Sequence, residues 1–101
     1  MRVIVFFDLP VETKKQRRDY TRFRKYLIKE GFFMMQQSVY TKLVMNLSAA
    51  ELLKSRVRSE LPPKGLIQLL VVTEKQFSNI ENLVGEVHTL SENSTDRLII
   101  L

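Results

Sequence analysis

The sequence predicts an α+β fold in which two helices cover one face of an antiparallel sheet, in the order β-α-β-β-α-β. Three observations carry that prediction. Two apolar runs, "VIVFF" at residues 3–7 and "LIQLLVV" at 66–72, are too continuous for strands with one solvated face. Between Thr13 and Gly31 apolar residues recur at helical spacing, with basic residues opposite. After that segment comes "GFFMMQQSVYTKLVM", rich in aromatic and β-branched residues, and then a second helical pattern.

The first strand spans Arg2–Phe7, with Asp8 and Pro10 ending it. Thr13 is the expected N-cap of the first helix and Gly31 its stop. Tyr20, Phe23 and Leu27 share one side of that helix, and Arg18, Arg22, Lys25 and Lys29 form a stripe opposite. Two strands follow, at residues 32–36 and 38–45, joined by a tight bend. The second helix is expected to open on Ser48 and Glu51 as a capping box and to close at Pro62-Pro63. "GLIQLLVVT" is the fourth strand, "EKQFSNIENLVGE" a short, weak helix, "VHTLSENSTD" a loop, and "RLIIL" a last strand.

This order is the ferredoxin-like arrangement, with the two long apolar runs expected as adjacent central strands. Helices of that fold cover one face only. A second copy packed sheet to sheet would explain the lack of polar alternation on the other, making the protein a symmetric homodimer.

Composition narrows the chemistry. At 101 residues the chain is expected to form one domain, 1–101, with a core large enough to need no metal or disulfide staple. There is no cysteine, which excludes disulfides, zinc–thiolate sites and thiol catalysis, and a reducing cytoplasm is the expected location. The apolar start is too short for a signal-peptide core, and no run approaches the roughly 18 residues of a membrane span. The net charge is +5, but Lys14–Lys29 holds eight basic residues against one acid, Asp19, a local +7 that leaves −2 for the rest.

A charged stripe is often only a solvated helix face. Here acids at i,i+4 spacing are nearly absent, so self-repulsion stands unless an anionic partner is met. Nucleic-acid phosphate is the expected partner, held without base reading by Lys14, Lys15, Arg17, Arg18, Arg22, Lys25 and Lys29.

Asp8 is the candidate catalytic and metal residue. A strand-end aspartate commonly makes a turn or cap. A two-fold axis near it would instead pair two carboxylates, which repel unless a proton or a hydrated Mg²⁺ lies between them. His88 has no ligand partner at suitable spacing and is expected on the surface. Phe32, Phe33, Met34 and Met35 are expected in the sheet core, since the stretch lacks the glycine-aromatic motif of RNA-recognition domains. Three glycines exclude a glycine-rich phosphate loop, and Ser38 and Tyr40 have no neighbouring base to activate them.

"VIVFFDLP", the basic helix, "EGFFMMQQSVYTKL" and "KGLIQLLVVTEKQF" together resemble the second CRISPR-associated protein family, the small adaptation subunit, most closely its type II branch. The specific features are an apolar strand ending in Asp and the pattern Gly31, Phe32, Gln36, Ser38, Val39, Tyr40. The resemblance implies a ferredoxin-like homodimer whose terminal strand, here Leu98, Ile99, Ile100 and Leu101, docks on the partner's sheet. It also implies a scaffold in spacer acquisition that binds double-stranded DNA and bridges dimers of the CRISPR integrase. The family further includes Mg²⁺-dependent nucleases acting on single-stranded RNA or duplex DNA, whose metal-binding aspartate corresponds to Asp8. Scaffold ranks first and metal-dependent endonuclease second. A small-molecule sensor on the same fold falls well behind, because the charge favours a polyanion.

Overall fold

The computed structural model describes residues 1–85, where the chain runs β1 (Arg2–Asp8), α1 (Lys14–Glu30), β2 (Phe33–Gln36), β3 (Val39–Leu43), α2 (Leu47–Arg58), β4 (Leu66–Val72) and α3 (Glu74–Ser78). The four strands form one antiparallel sheet in the order β2-β3-β1-β4, the ferredoxin-like topology. Among the described residues no helix is long and apolar enough to cross a membrane. The expected terminal strand with Leu98, Ile99, Ile100 and Leu101, and the position of His88, lie outside the described residues.

Alternation along β1 sorts its side chains between two faces. Val3, Val5 and Phe7 are buried with Tyr40 of β3, Phe23 and Leu27 of α1, and Ala50, Leu53 and Val57 of α2. Phe7 is the hinge of this core: its ring meets Phe23 edge-on at 5.4 Å, Tyr20 at 5.9 Å and Tyr40 at 5.5 Å between centroids. The i, i+3, i+7 spacing on α2 and the i, i+4 spacing on α1 are what turn one stripe of each helix toward the sheet.

The second face belongs to Ile4, Phe6 and Asp8 of β1, with Thr41 and Leu43 of β3, Leu66 and Leu70 of β4, and Phe33 of β2 in register beside them. Ile4 and Thr41 at its centre are buried, and the Thr41 hydroxyl donates to the Val3 carbonyl at 3.0 Å. Around them Phe6, Phe33, Leu43, Leu66 and Leu70 are 36 to 55 % exposed. The sheet therefore carries an apolar face that neither long helix covers.

Three expectations are corrected. β4 lies at the sheet edge, and β3 shares the centre with β1. A continuous apolar run reports coverage of both faces, which is independent of whether both edges are hydrogen-bonded. Asn46, not Ser48, caps α2: its side chain accepts from the Ala49 N–H at 2.8 Å, while Glu51 turns to Lys54 at 3.0 Å. The last helical segment spans only five residues, fixed by a Thr73–Gln76 capping box.

Local chemistry sets the remaining joints. Gly31 ends α1 in a left-handed conformation, φ +103°, with Gly31 N–H donating to Ile28 and Phe32 N–H to Leu27 in a Schellman motif. Ser38 takes φ +67° at the β2–β3 bend, and its carbonyl accepts from the Phe7 N–H at 3.0 Å. That bond ties the bend to the end of β1.

Candidate nucleic-acid interface

Helix α1 is fixed at its start by a reciprocal capping box. The Thr13 hydroxyl accepts from the Gln16 N–H, and the Gln16 side chain accepts from the Thr13 N–H at 3.1 Å each way. With Phe23 and Leu27 turned to the core, Lys14, Arg18, Arg22, Lys25 and Lys29 fall within one exposed arc on the far side. None of the five has a carboxylate partner among the described residues. From Lys14 to Lys29 the ridge runs about 22 Å at helical rise.

The placement of the first cations is informative. α1 has no acid in its first turn and instead begins Lys14-Lys15, at the positive end of the helix dipole. Each cation there costs stability of order 0.3–1 kcal/mol. An approaching polyanion removes that cost and gains both fields at once.

Two expected members of the ridge are engaged locally. Lys15 pairs with Asp19 at 3.3 Å across one turn. Arg17 reaches back and donates to the carbonyls of Val11 and Glu12 at 3.1 and 3.0 Å, bracing the loop before the helix.

A cluster not foreseen from the sequence secures the opposite end of α1. The Glu30 carboxylate accepts from Arg56 Nε of α2 at 2.9 Å and from the Tyr26 hydroxyl at 3.0 Å, and Lys42 Nζ of β3 donates to the Glu30 carbonyl. The Arg56 hydrogen bond holds the Glu30 carboxyl below the usual range. Burial, reinforced by the bond to Glu30, pushes the Tyr26 phenol up to about 12. Tyr26 and Glu30 are i,i+4 neighbours on α1, but no spacing rule links them to Lys42 and Arg56. The cluster locks α1, α2 and β3 together, so the ridge sits on a rigid support.

Asp8 stands apart from the ridge. It closes β1 on the uncovered sheet face, opposite Leu66 and next to the exposed Phe6, whereas the ridge points away from the helix-covered face. Among the described residues no three His, Cys, Asp or Glu side chains come together as a metal-binding group. Glu12, the nearest acid in sequence, lies in the loop before α1, exposed. One protomer thus offers a cation a single carboxylate, fewer than Mg²⁺ sites built from protein alone use. The donor set fits only if a second copy brings its own Asp8 to the same place.

Gly65 couples Asp8 to the loop after α2. At φ +106°, a Cβ on Gly65 would lie 2.6 Å from Leu9 Cδ2 and 2.9 Å from the Asp8 carbonyl oxygen. Only glycine permits this approach.

Comparison with known proteins agrees with this architecture. A family model described as CRISPR associated protein Cas2 matches residues 1–80. The chain is 50% identical over 101 residues to a protein of Treponema denticola named CRISPR-associated endoribonuclease Cas2, covering all of both chains. A protein of the same name from Ligilactobacillus salivarius is 46% identical, again over the full length of both. One from Streptococcus mutans is 48% identical over all of this chain and 93% of its own. Among solved structures, Streptococcus pyogenes Cas2 superposes with a TM-score of 0.62 at 20% identity, over 83% of this chain and 100% of that one, a likeness of fold.

Proposed function

The chain belongs to the CRISPR-associated protein Cas2 family, and from that premise we propose that it serves CRISPR adaptation in the cytoplasm as a homodimeric scaffold for duplex DNA. In this reading the dimer bridges two dimers of the CRISPR integrase and holds the middle of the incoming DNA. The observation that carries it is the row of five cations on α1 without carboxylate partners among the described residues. A rigid cationic track without base-reading geometry gives position and affinity, and leaves sequence unread. Dimerisation through the apolar sheet face, with the terminal Leu98–Leu101 segment on the partner's sheet, would cover Phe6, Leu66 and Leu70.

A second reading rests on Asp8. Its place at the rim of the uncovered sheet face suits a two-fold pairing of carboxylates, and the relatives named above carry the word endoribonuclease. The pair would hold one Mg²⁺, which supplies charge neutralisation at a scissile phosphate of RNA or DNA. Asp8 would orient the ion.

Spacer integration with the partner integrase, comparing wild type with Asp8→Asn at equal dimer concentration, separates the readings. Undiminished integration is expected if the protein is a scaffold. Loss of integration with duplex binding intact would overturn that reading and make the carboxylate pair a working part.

A further inference from the structure

The end of β1, the first two turns of α1 and the loop after α2 enclose a cleft of about 340 Å³, at the lower end of small-ligand sites. We infer that this cleft seats a single unpaired nucleobase, an inference that rests on the nucleic-acid reading of the α1 ridge and adds a subsite to it.

The walls come from Leu9, Pro10, Pro62 and Pro63 and are almost wholly apolar. Thr13 and Gln16 also line the cleft, and the oxygens of their side chains each accept from the other's backbone N–H in the capping box. The walls therefore offer a flat apolar ring burial, with few polar atoms to discriminate one base from another. They are also preformed. The three prolines have fixed φ, and the glycine-only approach of Gly65 holds the loop of Pro62 and Pro63 against Asp8 and Leu9.

One uncompensated cation at the cleft favours an anionic occupant. Lys64 lines the cleft without a carboxylate partner among the described residues, while Lys15 is paired with the cleft's one acid, Asp19. A smaller cavity of about 140 Å³ shares Asp19, Pro62 and Pro63 and is lined also by Arg22 of the ridge and by Glu60. In this reading a strand leaving the ridge at Arg22 sets a phosphate near Lys64 at the cleft. Bases inside a duplex are stacked and paired, so only a single strand, a bulge or a frayed end supplies one.

The test is an amide NMR titration of the full-length protein with three probes: a short oligouridylate, a blunt DNA duplex, and an acidic peptide containing one leucine. The oligouridylate should shift Leu9, Thr13, Gln16 and Gly65 together with the ridge amides, and the blunt duplex should shift the ridge alone. Lys64→Ala should lower the salt slope of oligouridylate binding by about one and leave duplex binding unchanged. Cleft amides unmoved by oligouridylate would overturn the inference while leaving the ridge intact. So would equal shifts with the blunt duplex, or shifts with the acidic peptide alone. Absence of ridge shifts with every nucleic acid would instead overturn the scaffold reading on which the inference rests.

Discussion

Alanine at Arg18, Arg22 and Lys25 together should flatten the salt dependence of duplex binding without unfolding the protein. All three side chains are exposed and have no carboxylate partner among the described residues, so their loss removes no internal ion pair. Alanine also relieves like-charge crowding at i,i+3 and i,i+4, and the melting temperature should hold or rise. The ridge advances about 6 Å at each i,i+4 step, enough to face two or three phosphates per protomer. A two-fold pair then neutralises about four to six, giving a log–log salt slope of about −4 to −5. Affinity of the wild type should fall by about two to three decades between 50 and 200 mM salt. The triple variant should lose at least about half of that slope, for every duplex sequence alike. The assay is fluorescence anisotropy of labelled duplexes over a salt series, with Lys54→Ala as control because Lys54 pairs with Glu51 on α2. An unchanged slope in the triple variant, or an equal loss in the control, would refute the ridge as the contact surface.

Three further predictions concern the frame that holds this surface. Gly65→Ala must place a methyl 2.6 Å from Leu9 Cδ2 at φ +106°, and strain plus overlap should cost about 3 kcal/mol in urea unfolding; a loss under about 1 kcal/mol would refute the rigid-loop account. Glu30 has a folded pKa below its unfolded value, so its stabilising share is complete above about pH 4.5 and fades as pH falls through the lowered value; Glu30→Gln should flatten that acid limb of stability against pH. Tyr26 moves the other way: raised from 10.0 to about 12, it contributes below the lower figure and loses that contribution as pH climbs between the two. Spectrophotometric titration should show a late tyrosine component that disappears in Tyr26→Phe.

Much of the site was legible because its signals are local. Thr13 and Gly31 bound α1 as their capping chemistry requires, and Phe23 with Leu27 fixes which way the basic stripe must face. The bend at Ser38 and the end of β1 at Asp8 also fall where turn-forming and strand-ending residues interrupt apolar runs. The cleft and the Glu30 cluster were not legible. Leu9 meets Pro62, and Glu30 meets Arg56, only after the sheet has brought distant segments together.

By itself, then, the sequence determined the elements, their order, the helix faces and the concentration of charge, because periodicity and capping act over a few residues. Tertiary structure decided which strands are central, which cations remain without partners, and that ridge and Asp8 occupy different surfaces. Those properties depend on which edge pairs with which and which side chains meet across the chain. Such contacts arise from the packing of the whole sheet and its helices, and residue spacing carries no record of them.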